Sequence, residues 1–458
     1  IETVIKGISS TNDIQDTAKS LMSQTQVIFI PTDNTIVSAI NTLVDLSKET
    51  KVPVVGSDAG SVEKGVLFTY GTNYEALGRQ TGKLAGRVLR GEKVKDVDAE
   101  YPKTLNVVVN HDMAKELGID VSSISDEESK ASTQDDKPIA KKDKGVIKLK
   151  VNKSSKKGFS NVVLTAISQG LLWAIMAIGV FITFRILDLA DLTAEGAFPL
   201  GAATTTIMII RGINPIFATL GGFVAGMLAG AVSGFMHTKM KIPALLTGII
   251  TLTGLYSVNL LVLGSANVSL SGHNTLVTMV MNLGLYKLNG VILLGLIFVS
   301  LVVLMLVVLL NTQVGLALRA TGDNLAMGEA NGIKVDRMKI LGYMISNGLI
   351  ALSGALLAQN NGYADMNMGT GTIVNGLAAI ILAEVIVKYL PLGKRLWSIV
   401  VGAVLYRLVL VIILAMNVDA QMLKLASAIL LAIILYVPEV RQKLKIRPNK
   451  SLTLGGDK

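Results

Sequence analysis

Cysteine is absent from the 458 residues, which excludes a disulfide framework and thiolate chemistry. Histidine is almost absent: His111, His237 and His273 are scattered, cannot by themselves form a zinc site, and read as structural or solvated positions. No metal-binding residues are therefore expected. The chain has no phosphate-cradling loop, no metal-holding aspartate in a nucleotide-site context and no Ser/His/Asp set, so no catalytic residues are expected either. The run Gly78-Arg-Gln-Thr-Gly-Lys83 looks phosphate-like but lacks the required spacing and falls inside an expected helix. A signal-peptide pattern is missing as well. Ile1 is not Met, and the chain starts inside what reads as a domain, which points to a fragment or a processed chain.

What is abundant is apolar sequence. Hydrophobic residues make up 51% and charged residues only 17%, with a mean hydropathy of +0.55. That mean joins two unlike halves. Up to about residue 160 the sequence is charged and ordinary; beyond it, apolar runs are long enough to cross a bilayer. The formal net charge of +10 invites a nucleic-acid reading. The lysines and arginines, however, cluster in loops and in the C-terminal tail, which is the pattern that sets membrane topology, so lipid and not nucleic acid is the expected contact.

In the first part, QVIFIP at 26–31, Val52–Gly56, Gly65–Tyr70 and Asn106–Asn110 read as strands. Helices are expected over about 35–48, over Tyr74–Leu89 and over about 114–119. This alternation predicts an α/β fold with a parallel sheet over residues 1–123. Ligands in such folds lie beyond the carboxyl ends of the strands. That places Asp33, Asn34, Asp58, Thr72 and Asn73 on one rim as candidate binding residues. Asp33 and Asp58 equally fit the role of caps at strand ends. Residues 124–160 are rich in Ser, Asp, Glu and Lys and read as a flexible linker.

Apolar runs follow at about 161–186, 193–211, 214–237, 243–265, 290–311, 338–359, 372–388, 396–416 and 420–437. They predict an all-α polytopic membrane domain of about nine transmembrane helices over 161–440, with a basic tail at 441–458. Basic loops place the 312–339 segment and the C-terminus in the cytoplasm and the N-terminal part outside; Lys153, Lys156 and Lys157 argue the other way. The ladder Gly222/Gly226/Gly230/Gly234 predicts close helix packing in lipid. Glu384 and Arg407 lie at apparent membrane depth and are expected to pair, with Lys388 the rival partner for Glu384.

Between two spans, residues 316–359 join a basic polar loop to a Gly-rich apolar run. The loop predicts a short helix near 321–333, with Thr321 or Asp323 as N-cap and Gly332 just past its end. Gly315, Arg319, Ala320, Asn324, Ala326, Gly332, Ile333, Lys339, Ser346, Gly348 and Gly354 fall into a pattern that resembles ABC importer permeases of the branched-chain amino acid/ribose class. The resemblance implies that this helix is gripped by an ATPase, through Arg319, Gly322, Asn324, Ala326, Glu329 and Gly332. An ordinary cytoplasmic loop is the plain alternative. The segment from Arg185 to Phe198 resembles the stretch of this class that lies in a broken helix along the translocation path, which makes Asp191, Thr193 and Glu195 pathway candidates.

PTDNT at 31–35 and the segments around 53–82 and 107–119 resemble the C-terminal part of tryptophan/tyrosine-type periplasmic substrate-binding proteins. The first domain is then a partial lobe of such a protein fused to a permease. Together the resemblances imply a subunit of an ATP-driven importer for a small polar solute. An amino acid, aromatic by preference, is the implied cargo; sugar and nucleoside are also carried within the class. The chain itself would bind no cofactor. ATP would be used by a partner ATPase present in two copies, and a second permease copy and a separate full-length substrate-binding protein would complete the set. The competing readings are an ion- or proton-coupled secondary transporter using Glu384 and Arg407, and a membrane-anchored sensor.

Overall fold

The structure is a computed structural model. It describes residues 3–8, 14–94, 97, 100–102, 104–121, 128–130, 158–270, 272–284, 286–386, 391–415 and eight positions between 425 and 436. The chain divides into two units, Ile1–Gly158 and Phe159–Lys458.

The first unit begins with α1 (Ile14–Met22), β1 (Ile28–Ile30), α2 (Asn34–Ser38), α3 (Ile40–Thr50), β2 (Val54–Gly56) and α4 (Ala59–Glu63). It continues with β3 (Phe68–Thr72), α5 (Tyr74–Leu89), β4 (Thr104–Val109), α6 (His111–Leu117) and β5 (Glu128–Lys130). The helix expected over 35–48 is two helices that meet at Ala39. The sheet runs in the order β1-β2-β3-β4-β5. Its first three strands are parallel, as βαβ crossovers require. β4 and β5 are antiparallel, which corrects the expectation of a parallel sheet: β4 enters next to β3 in the opposite direction, pairing Phe68 with Val109 and Thr72 with Leu105. β5 also brings part of the expected linker, residues 128–130, into the sheet; residues 131–157 of that linker lie outside the described residues.

The second unit is helical. α7 (Gly158–Phe181) ends in a π-turn over Ile182–Ile186. Then come α8 (Ala194–Ile210), α9 (Pro215–Thr238), α10 (Ala244–Leu263), β6 (Asn267–Ser269), α11 (Leu276–Met281) and α12 (Lys287–Asn311). The chain goes on through α13 (Gln313–Asp323), α14 (Leu325–Ala330), α15 (Val335–Asn361), β7 (Tyr363–Asp365), a 3₁₀ turn at Met366–Gly369, α16 (Thr372–Ile386) and α17 (Leu392–Ala415). Among the described residues, seven helices are long and apolar enough to cross a bilayer, and α8 is apolar but shorter. The ninth expected run, 420–437, lies mostly outside the described residues.

α7 and α15 are the most enclosed helices of this bundle. Of their most apolar windows 89% and 83% are buried, against 28% for α10 and 39% for α9 and α12. The Gly ladder of α9 explains the tight seat of α15. A Cβ at Gly234 would lie 2.8 Å from the Cα of Ile340, and one at Gly230 2.7 Å from the carbonyl carbon of Tyr343. Any side chain there would push the two helices apart. Gln359, buried in α15, has its amide satisfied from two sides: it donates to Thr219 at 2.8 Å and accepts from the Leu276 amide at 2.9 Å. At the end of the bundle away from α14, β6 pairs antiparallel with β7.

Candidate functional site

The loop after α12 folds locally for stated reasons. Thr312 caps α13 by accepting from the Gly315 amide at 3.3 Å. α13 then runs through both residues expected to cap the next helix, and Thr321 spends its hydroxyl on the Ala317 carbonyl inside it. The cap of α14 is Asn324, extended at φ −155° and accepting from the Met327 amide at 3.0 Å. Thr321 and Asp323 are therefore corrected as caps. Gly332 behaves as expected: φ is +77°, its amide bonds to the Glu329 carbonyl at 2.9 Å, and the Ile333 amide reaches the Gly328 carbonyl at 3.0 Å. This double bond pattern terminates a helix on a left-handed residue.

α14 is an exposed turn and a half with small and apolar tips. Asn324, Ala326, Glu329 and Gly332 are exposed, and Met327 is 64% exposed. Arg319 and Gly322 differ from them in being half-buried. A Cβ on Gly322 would sit 2.7 Å from the Ile186 carbonyl carbon and 3.0 Å from Leu187 Cα. The loop thus touches the end of the π-turn directly, and Leu318 packs beside Leu187 against Gly342.

From Leu187 the chain breaks. Asp188 takes φ +54°, a left-handed conformation unusual for a side chain other than glycine. Asp191 is 4% exposed; its Oδ1 accepts from the Thr193 amide at 2.9 Å and its Oδ2 from Asn347 Nδ2 at 2.7 Å. Asn347 stands in the middle of α15. Thr193 joins Ser233 of α9 through a 2.8 Å hydroxyl contact, and Ser233 donates to Thr251 of α10 at 2.9 Å. Asp191 and Thr193 therefore tie the broken segment to three helices. Glu195 has a different setting. Its Oε1 accepts from the Gly371 amide at 3.1 Å, and its carboxylate lines a cavity of about 460 Å³ together with Pro199, Leu252, Tyr256, Asn259 and Met366.

Glu384 and Arg407 do not pair. Glu384 receives Arg185, from the end of α7, and Arg395, the latter at 2.9 Å. Arg407 donates through Nε to Gln169 at 2.8 Å and lies over the Trp173 ring, 5.8 Å from its centroid. The geometry of the α16–α17 hairpin is the reason. Glu384 faces Arg395 in the first turn of α17, whereas Arg407 lies twelve residues beyond Arg395, about 18 Å along the helix, beside the Tyr406–Asn375 bond. Lys388 lies outside the described residues.

In the first unit the strand ends line up as expected: Thr32 and Ser57 share a 2.7 Å hydroxyl contact. The aspartates there act as caps. Asp33 accepts from the amides of Thr35 and Ile36 at 2.8 and 3.1 Å, and Asp58 from the amide and hydroxyl of Ser61 at 3.0 and 2.6 Å. Asn34 is the first residue of α2. Thr72 ends β3, and Asn73 caps α5 by accepting from Ala76 at 2.9 Å while donating to Asn106 at 3.1 Å.

The model of the family "branched-chain amino acid transport system / permease component" matches residues 162–438, which include the bundle, the broken segment and the α14 loop. The chain belongs to this permease family. Residues 1–131 match the ABC transporter substrate-binding protein family, so the permease carries a substrate-binding-protein segment at its N-terminal side. A "tyrosine transport system permease protein" of Clostridioides difficile is 37% identical over 286 residues, 62% of this chain and 93% of that protein. A "tyrosine-binding protein" of the same organism is 36% identical over 116 residues, 25% of this chain and 34% of that protein. The chain thus spans about a third of that receptor's length. A solved structure, the ligand-free open form of a Clostridium difficile substrate-binding protein with adhesive properties, aligns at 35% identity and a TM-score of 0.26, covering 28% of this chain and 43% of that one.

Sequence reasoning missed Asn347, Tyr256, Asn259 and Met366. Asn347 and Asn259 had a readable signal, an amide inside an otherwise apolar span. Met366 had none, because a methionine in an apolar run looks like core.

Proposed function

We propose that this permease is the membrane subunit of an ATP-driven importer for an amino acid, aromatic by preference, carrying a tethered extracytoplasmic substrate-binding segment. Two copies of the chain form the pathway, two copies of an ATPase grip α14, and a separate full-length substrate-binding protein delivers cargo. The ATP is bound and hydrolysed by the ATPase subunits. In this arrangement α14 and the C-terminus face the cytoplasm. The observation that carries the reading is the direct approach of the α14 loop, at Gly322, to Ile186 and Leu187. A force applied to an exposed capped helix would pass through that contact into the broken segment, and from there through Asp191 to the centre of α15. The name of the tyrosine permease relative supports the cargo class.

Replacing Gly332 by Val tests this. A β-branched residue at φ +77° strains the end of α14 by about 1–2 kcal/mol. No atom lies close enough to clash with the new Cβ, so the fold survives. ATP-driven tyrosine uptake in proteoliposomes is expected to fall several-fold while membrane insertion is unchanged; uptake equal to wild type would count against the coupling role. The pair on which the secondary-transporter reading was based is not formed: Glu384 accepts from Arg185 and Arg395, and Arg407 donates to Gln169.

A further inference from the structure

The cavity beside Glu195 has a chemistry that goes beyond a generic pathway. A carboxylate at membrane depth is costly unless something compensates it. Asp191, four residues earlier, is compensated by two hydrogen bonds from the protein. Glu195 receives one backbone donor, Gly371, and no described lysine, arginine or histidine acts on it. It is also the one charged group among the residues that line the cavity.

A second, independent observation lies in the same wall. Asn259 is 2% exposed and gives its Nδ2 to the Gly196 carbonyl at 3.2 Å. Its Oδ1 is buried with no partner, a condition that costs about 1–3 kcal/mol until a donor arrives. The rest of the wall is mixed: Pro199, Leu252, Tyr256 and Met366 supply an apolar and aromatic surface, and Thr253, Ser257, Asn367 and Thr370 add neutral polar groups. The volume, about 460 Å³, falls in the range of small-molecule pockets.

The geometry points to a resting station for a primary ammonium group that carries an aromatic or apolar side chain. Glu195 is its counter-ion, Asn259 Oδ1 a further acceptor for its protons, and Tyr256 and Met366 the surface for the side chain. Among the lining residues the one charge is the negative charge of Glu195, which attracts an amine and repels a carboxylate, so the cavity favours the amine end of an amino acid over its acid end. This assignment rests on reading the bundle as a solute pathway.

The test is equilibrium binding of radiolabelled tyramine to the full chain in nanodiscs, with L-tyrosine and 3-(4-hydroxyphenyl)propanoate as competitors. Tyramine is expected to bind and to be displaced by tyrosine but not by the propanoate. Glu195→Gln, which keeps the shape, is expected to weaken tyramine about tenfold or more, the worth of one charge-assisted bond. Tyr256→Ala, at a ring already 57% exposed, is expected to weaken it without disturbing the fold. Absence of tyramine binding, equal displacement by the propanoate, or binding in Glu195→Gln equal to wild type would each overturn the assignment. Binding needs no ATPase, so the two readings fail separately. ATP-independent uptake with Glu195-dependent binding removes the importer alone; ATP-driven uptake with binding indifferent to Glu195 removes the station alone.

Discussion

Asp191 and Glu195 lie one helical turn apart, on either side of the start of α8, and the protein treats them in opposite ways. Asp191 is closed in: Thr193 and Asn347 hold its two oxygens, and a hydroxyl chain through Ser233 and Thr251 extends the network into two more helices. Glu195 is half open, with one backbone donor and a cavity in front of it. The difference separates two settings. One carboxylate is tied by hydrogen bonds to α15 and to the Thr193 amide. The other, on the proposed pathway, would remain available to a solute. A polar residue in the membrane is thus not in itself a sign of solute contact; what decides is whether the protein already satisfies it.

The sharpest way to break this division is Gly322→Val. The new side chain would run into the backbone of Ile186 and Leu187, displacing the segment that leads to Asp191. Uptake is expected to be abolished while the ATPase still copurifies, because the α14 surface is intact; retained uptake would show that the loop does not act through this contact. Next in size is Asp191→Ala. It strands the Thr193 amide and weakens the setting of Asn347 in a buried site, at about 1–3 kcal/mol for each group left without a partner. The melting temperature in detergent is expected to drop by several degrees, and an unchanged value would remove Asp191 from its anchoring role. Ser233→Ala interrupts the hydroxyl chain and is expected to cost about 1 kcal/mol, read in the same melting assay. The smallest effect on stability is expected from Glu195→Ala, within about 0.5 kcal/mol of wild type, since few protein bonds depend on it. If the two carboxylates were equally destabilising when removed, the contrast between them would collapse.

Much of the architecture was legible because it rests on local rules. The helix Tyr74–Leu89 was bounded correctly: Asn73 in front of it and its apolar spacing are local signals. Gly332 was readable as a helix terminator for the same reason. The cap of α14 was not, because Thr321, Asp323 and Asn324 are all good capping residues within four positions. The choice went to Asn324 once α13 extended through the other two. The antiparallel β4 was also out of reach. Nothing in the alternation of strands and helices states the direction in which a strand enters a sheet. Pairings across long separations failed most clearly. Glu384 pairs with Arg185, 199 residues earlier, and nothing local in the sequence points to a partner at that separation. In the first unit Thr32 and Ser57 meet at the strand ends, and Asp33 and Asp58 cap the helices that follow them, a role the sequence had offered beside ligand binding.

The central claim is that an exposed helix on this permease is the handle for an ATPase. Mass spectrometry of the proteins that copurify with the tagged full chain, in mild detergent from its native cells, tests it directly. The account predicts a stoichiometric protein with a phosphate-binding loop, present with wild type and lost when residues 324–332 are scrambled. Recovery of the chain with no ATP-binding protein, or recovery of the same ATPase with the scrambled loop, would contradict it.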